Sequence, residues 1–337
     1  MHPETSHQRF LELIHRFAGK RVLAVGDLML DEFIWGRVSR ISPEAPVPVV
    51  NVTGESYYPG GVANVARNLR EFTRETAVAG IIGADARGRQ LVELLAEAGI
   101  RTDGVIEDAG ALTTVKTRVI ARNQQVVRVD RERKVALTAE QQAQVCRYLE
   151  RAIAETDGIV VADYGKGFLT QRLADEICRL AERHGKVLAV DPHPHTALTW
   201  NGATVIKPNR AEVFLAVGRP ITEPVEPVCQ DSPLIDAATR LLDLWRPESL
   251  LVTLAEQGML LLARDAAPLH LPARAREVFD VSGAGDTAIA VLTLGLVAGG
   301  TAAEAAELAN RASGIVVGKV GTATVTAAEL MATLKPS

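Results

Sequence analysis

Cysteine is scarce in this chain. Its three cysteines, Cys146, Cys178 and Cys229, stand far apart among 337 residues. They form neither a metal-binding spacing nor a disulfide framework, and they fit a reducing compartment. Aromatic residues are few, 4% against 47% hydrophobic, so the apolar bulk is aliphatic and sufficient for one large α/β domain or a domain with a subdomain. No long basic run occurs and the formal net charge is −4, which leaves nucleic acid without an electrostatic footprint. No uninterrupted apolar stretch is long enough to span a membrane; residues 288–297 are too few and read as a core helix. Residues 1–20 lack the apolar core of a signal peptide. Phe10, Leu11, Leu13, Ile14 and Phe17 are spaced instead as an amphipathic helix. The expectation is a cytoplasmic protein with no nucleic-acid or membrane partner. A Gly-x-x-x-x-Gly-Lys-[Ser/Thr] loop, a His-Arg-Asp loop, a low-complexity linker and an internal repeat are all absent.

What is present is alternation. Apolar runs at residues 21–25, 77–82, 158–162, 187–190, 204–206 and 249–253 are separated by helical patterns. Continuous Val/Ile/Leu strands between helices predict a mostly parallel sheet covered on both faces. In such sheets ligands bind beyond the C-terminal strand ends, where Asp27, Asp163, Asp191, Asn209 and Thr253 fall. Two segments break the pattern. Residues 37–59 hold Pro43, Pro46, Pro48 and Pro59 and read as edge strand and loop. Residues 113–130 read as two β stretches around Arg122-Asn123-Gln124-Gln125. Together they predict a small β lid on one domain spanning residues 1–337.

The densest chemistry lies near the C-terminal end, in Val278-Phe279-Asp280-Val281-Ser282-Gly283-Ala284-Gly285-Asp286-Thr287. The apolar residues read as a strand end, the glycines as a tight turn, and the following run as a buried helix. Backbone N–H groups at a helix N-terminus lack intrahelical partners and, with the helix dipole, attract anions. An acid beside such a turn does not help it hold an anion. It makes sense if Asp286 takes a proton from a hydroxyl while the turn stabilises charge on a phosphoryl group. Two other readings share these residues. One is a dinucleotide fingerprint, which lacks its βαβ context here because Glu304 and Glu307 sit in an Ala-rich helical pattern. The other is a purely structural glycine turn.

Further constellations lie upstream. Gly60-Gly61 precedes a helical pattern containing Asn64, whose amide suits sugar hydroxyls, or is merely solvated. Asp31 follows the first strand, as a diol acceptor or a surface acid. Asn209 and Glu212 are spaced to face one Mg²⁺–phosphate unit, though from spacing alone a helix capping box leads. Residues 253–258 link two apolar β runs as a hairpin turn, or bring Thr253 and the turn backbone to nucleotide phosphates. Lys116, Arg118, Arg122 and Lys166 are basic residues near the lid and strand ends. His193 and His195 lack a clear third metal ligand.

Taken together, the order Gly60-Gly61 with Asn64, Asn209-x-x-Glu212, and Asp280-x-x-Gly283-Ala284-Gly285-Asp286 resembles the ribokinase-like, or PfkB, carbohydrate kinase family over nearly the whole chain. The resemblance implies a three-layer α/β fold with a β lid, and use of ATP and Mg²⁺. It implies Asp286 as the base and Gly283, Ala284 and Gly285 as the anion hole. Asn209 and Glu212 would organise phosphates and Mg²⁺, with Glu212 acting directly or through water. Thr253, Glu256, Gly258 and Asn310 would lie on the nucleotide side. Asp31, Gly60, Gly61 and Asn64 would bind sugar hydroxyls. Asp280 matches a position that helps bind a monovalent cation such as K⁺.

A narrower resemblance, to the heptose-7-phosphate kinase subgroup, rests on residues 39–50, Arg122-Asn123-Gln124-Gln125, Asp163-Tyr164-Gly165-Lys166-Gly167 and Glu256-Gln257-Gly258-Met259. It implies phosphorylation of D-glycero-D-manno-heptose 7-phosphate at C1, feeding ADP-heptose for lipopolysaccharide, with Lys116, Arg118 and Lys166 on the existing phosphate. Other phosphosugars or nucleosides, and a catalytically silent sugar-binding regulator, are the alternatives. Two positions depart: Pro192-His193-Pro194-His195 follows Asp191 where the subgroup has Pro-Lys-Gly, and Ala255 stands where many members carry Gly. Some members carry a fused nucleotidyltransferase; this chain leads to the expectation of a separate one, and of a homodimer through the lid edges.

Overall fold

The computed structural model describes residues 7–122, 124–134, 136–274, 279, 281–319 and 321–334. The strands are β1 (Arg21–Gly26), β2 (Leu28–Ile41), β3 (Pro48–Gly61), β4 (Glu75–Gly83), β5 (Arg101–Asp108), β6 (Thr114–Ala121), β7 (Gln124–Arg131), β8 (Gly158–Ala162), β9 (Val187–Asp191), β10 (Val205–Ile206), β11 (Ser249–Thr253), β12 (Met259–Ala263) and β13 (Leu269–Leu271). The helices are α1 (His7–Phe17), α2 (Val62–Arg70), α3 (Ala86–Glu97), α4 (Ala139–Glu155), α5 (Gln171–His184), α6 (Arg210–Ala216), α7 (Ser232–Trp245), α8 (Ala284–Val297), α9 (Ala302–Val316) and α10 (Ala327–Ala332).

The large sheet runs β13-β12-β11-β10-β9-β8-β1-β4-β5. Its pairings are parallel from β11 through β5, while β12 and β13 join antiparallel at one edge. Alternate residues of β1 explain its unbroken apolar run. Val22 and Ala24 join a core with α1, α2, α8 and α9. Leu23 and Val25 join a second core with α4, α5 and α7. This is the expected three-layer arrangement, with a mostly parallel sheet dry on both faces. Helix α8 is buried from Thr287 to Gly295 without a polar stripe, as befits a helix inside the core. No helix among the described residues is long and apolar enough to cross a membrane.

The second sheet, β3-β2-β6-β7, grows from the C-terminal end of β1. Strand β2 starts one residue after Asp27, so this sheet takes in residues 28–36 as well as the proline-rich segment. Pro48 and Pro59 are tolerated because β3 is an edge strand with β2 as its neighbour. Gly60-Gly61 is the end of β3, not a free loop, and α2 follows at once. The strand end expected around residues 278–281 is not formed at Phe279 or Val281. The Phe279 N–H donates to the Val317 carbonyl just past α9, and both side chains are exposed. Val278 and Asp280 lie outside the described residues. Helix α8 begins at Ala284 rather than at residue 288, which puts Asp286 in its first turn.

Candidate active site

The floor of the cleft is made by strand ends. At the end of β1, Gly26 has φ 155°, and a methyl there would lie 2.0 Å from the Ala162 carbonyl. Glycine therefore lets β1 and β8 close tightly before the chain turns at Asp27. Asp27 is buried and accepts backbone N–H groups of Tyr164 (2.9 Å), Lys166 (3.1 Å) and Phe168 (3.3 Å). One carboxylate thus ties down the loop after β8, where water cannot satisfy those amides. Gly165 continues this loop at φ 69°.

The anchored loop aims Tyr164 at Asp286. The Tyr164 hydroxyl donates to Asp286 Oδ1 at 2.5 Å, and Asn64 Nδ2 donates to Oδ2 at 2.7 Å. The direction is fixed, since an ionised carboxylate only accepts. Burial raises the Asp286 carboxyl to about 6, against the lowering effect of these two donors. With its donor turned to Asp286, Asn64 leaves its buried Oδ1 without a partner among the described residues. An unmatched buried acceptor of this kind is costly and suits a ligand donor such as a hydroxyl.

Gly283 caps α8 at φ 79°, with Ala284, Gly285 and Asp286 in the first turn. A methyl on Gly285 would lie 3.5 Å from Lys207 Nζ and 4.0 Å from Asp191 Oδ2. A buried ammonium therefore stands against the helix N-terminus, paired with Asp191 at 2.9 Å. Backbone dipole and cation act on one spot, an arrangement that suits an anion. Neither Lys207 nor Tyr164 was assigned a role from sequence. The signal for Lys207 was present: a lysine closes an apolar strand immediately before Pro208-Asn209.

Asn209 and Glu212 form the reciprocal capping box of α6, as their spacing suggests: Asn209 Oδ1 accepts the Glu212 N–H at 3.0 Å, and Glu212 Oε2 accepts the Asn209 N–H at 2.7 Å. The cap fixes a carboxylate at the cleft rather than excluding a second use. Burial, with Asp191 repelling it, raises the Glu212 carboxyl to about 7. Acids crowded in this way fit a nearby cation. Among the described residues no three His, Cys, Asp or Glu side chains form a metal set. Mg²⁺ fits here only in the manner usual for it, through a single carboxylate, water and substrate phosphates. His193 and His195 lie edge to face at 5.6 Å.

Three of the nucleotide-side candidates lie along the β11–β12 hairpin and the fourth on α9. Thr253 pairs with Asn209 in an isolated parallel bridge and its N–H reaches the Pro208 carbonyl at 2.9 Å. Glu256 lies exposed in a 3₁₀ turn. Gly258 is bound by packing: φ is 90° and a methyl would lie 2.1 Å from the Leu271 carbonyl. Asn310 is buried on α9 and donates to the Pro272 carbonyl at 2.8 Å, so its amide is occupied by backbone.

On the lid side, Asp31 is buried on β2, and a methyl at Gly60 would sit 2.4 Å from Asp31 Oδ2. Gly60 thus makes room for this carboxylate, and Gly61, at φ 59°, allows the turn into α2. Arg118 on β6 donates to Asp31 Oδ1. Lys116 reaches Asp130 at 3.3 Å and Glu132 at 3.6 Å, and Lys166 reaches Glu132 at 2.7 Å. Hydrogen bonding from Lys166 holds the Glu132 carboxyl below its usual range. Of the basic residues expected at a substrate phosphate, Lys116 and Lys166 therefore converge on Glu132 of their own chain, while Arg118 pairs with Asp31.

Residues 20–328 match the model of the pfkB family of carbohydrate kinases. The chain is 45% identical over 319 residues to "Bifunctional protein HldE" of Desulfatibacillum aliphaticivorans, covering 95% of this chain and 64% of that protein. It is 42% identical over 330 residues to the protein of the same name from Paramagnetospirillum magneticum, covering 98% and 66%. The chain thus spans just under two thirds of these relatives. Among solved structures, Arabidopsis thaliana ribokinase complexed with ribose and ATP superposes with TM-score 0.72 at 16% identity, covering 95% of this chain and 100% of that one. Escherichia coli phosphofructokinase-2 in complex with potassium gives 0.72 at 19% identity, covering 94% and 99%. At these identities the structures speak for the fold alone.

Proposed function

The chain belongs to the pfkB family of carbohydrate kinases, phosphotransferases with an alcohol group as acceptor, and from that premise we propose that it uses ATP to phosphorylate D-glycero-D-manno-heptose 7-phosphate at C1. The product is the 1,7-bisphosphate, a precursor for ADP-heptose and lipopolysaccharide. Phosphotransfer is supported above all by one juxtaposition: a carboxylate, Asp286, in the first turn of a helix whose N-terminus meets the Lys207 ammonium. The heptose reading is supported by the subgroup-like segments and by the similarity to the bifunctional HldE proteins.

In this reading Asp286 accepts the proton of the anomeric hydroxyl as that oxygen attacks the γ-phosphoryl group. The N–H groups at the start of α8 and the Lys207 ammonium meet the charge that develops on the transferring oxygens, where preorganised donors count most. Asn64 and Asp31 orient sugar hydroxyls. Lys116 and Lys166 take the distal phosphate in place of Glu132, and Arg118 acts beside them. Glu212, through water, would hold Mg²⁺, and the ion would supply charge neutralisation on the nucleotide phosphates. Thr253, Glu256, Gly258 and Asn310 border the nucleotide.

The test is ADP release by purified protein with Mg-ATP and a panel of heptose 7-phosphate, fructose phosphates, ribose and adenosine. Selective turnover of the heptose phosphate to a 1,7-bisphosphate is the expected result. Turnover of another acceptor alone would discard the heptose assignment and keep the phosphotransfer chemistry. Failure across the panel would favour the sugar-binding regulator.

A further inference from the structure

We propose that Tyr164 is a positioning residue for the base, its hydroxyl and the Asn64 amide clamping the Asp286 carboxylate so that the remaining lone pairs face the acceptor hydroxyl. This rests on the reading of Asp286 as the proton acceptor. Each Asp286 oxygen receives one donor, from a loop on one side and from α2 on the other. A carboxylate has about four acceptor sites, so both oxygens keep capacity for a substrate proton. The donor side is built rather than incidental. Asp27, at the end of β1, anchors the Tyr164 N–H and the next turns of the loop, and the Tyr164 ring packs against the apolar core.

The phenol stays a donor throughout the working range. Burial, and then the charges of Asp286, Asp191 and Asp31, raise its ionisation well above 10. The groups acting on Asp286 are Tyr164, Asn64, Asp191 and Lys207; the first two and Lys207 favour its ionised form, while Asp191 opposes it. Removing the Tyr164 hydroxyl takes away a charge-assisted hydrogen bond to the ionised form, so the Asp286 carboxyl must titrate higher.

Two measurements on the full chain test this. The first needs no substrate. With aspartate labelled at ¹³Cγ and the Asp286 signal identified through Asp286→Asn, Tyr164→Phe is expected to raise the Asp286 midpoint by about one pH unit. Replacing all tyrosines with 3,5-difluorotyrosine, a stronger donor, should lower it. An unmoved midpoint in both overturns the proposal. The second is turnover, with the acceptor that the ADP-release panel identifies. In Tyr164→Phe, kcat should fall about fivefold more at pH 6 than at pH 8.5, with KM little changed. An equal loss at both pH values assigns Tyr164 a purely structural role. Absence of turnover with heptose 7-phosphate counts against the substrate, while the ¹³C titration still decides the role of Tyr164.

Discussion

At the residue scale the site turns on Asp286. In the proposed reaction Asp286 is the base, which must be ionised to act, and burial, outweighing its two donors, raises this carboxyl to about 6. With Mg²⁺ saturating, so that Glu212 stays ionised, kcat/KM should be level above about pH 7 and fall tenfold per unit below about 5, since protonation removes the acceptor. Asp286→Asn should lower kcat by roughly 10²–10⁴-fold, the usual worth of a general base, while the protein stays folded. Folding should survive because the Asn64 amide can reverse and offer its unmatched Oδ1 to the new side-chain amide. A pH–rate profile and a thermal melt of the variant check both parts; near-normal turnover would remove Asp286 from its role. Asp286 and its glycines could be read from sequence because three chemical demands meet in consecutive residues. Tyr164 could not, and Lys207 only as a lysine closing an apolar strand, because their importance depends on strand ends and a loop that folding brings to the same helix terminus.

At the element scale, the β11–β12 hairpin joins legible chemistry to illegible geometry. Apolar runs on either side announced the strands. The turn between them was marked only by Gly258 and by Ala255, a position where glycine is common in the family. Ala255 adopts φ 50°, a left-handed conformation in which a Cβ is crowded. Ala255→Gly should relieve about 1–2 kcal/mol of strain and add about 0.5–1 kcal/mol of unfolded-state entropy, leaving a net gain of roughly 0.5–1 kcal/mol. Urea denaturation would show a higher midpoint at unchanged slope. A lower midpoint would mean that the turn is not strained. Gly258→Ala should act in the opposite sense, since its methyl would collide with the Leu271 carbonyl. The capping box of α6 carries another lesson of this scale. Asn209 and Glu212 satisfy local capping chemistry and still stand at the cleft, so the two readings of their spacing were never exclusive.

At the scale of the whole molecule, the small sheet decides what the protein can become. Every residue of β7 is exposed, with Val127 and Val129 on the same face, and among the described residues no strand pairs with the outer edge of β3. Open, apolar strand edges favour association. We therefore expect a homodimer through this sheet, with Val127→Lys/Val129→Lys shifting it toward monomer in sedimentation equilibrium. A wild-type monomer at micromolar concentration would refute the interface. The sequence by itself determined the alternation of strands and helices, the dry parallel sheet and the glycine-turn acid, because periodicity, apolar content and turn chemistry are local and written in consecutive residues. Only the tertiary structure decided which groups meet: Lys207 at the mouth of α8, Tyr164 and Asn64 on the two oxygens of Asp286, and Glu132 between Lys116 and Lys166. Those meetings join residues far apart in the chain, and their energies exist only once folding has removed the water between them.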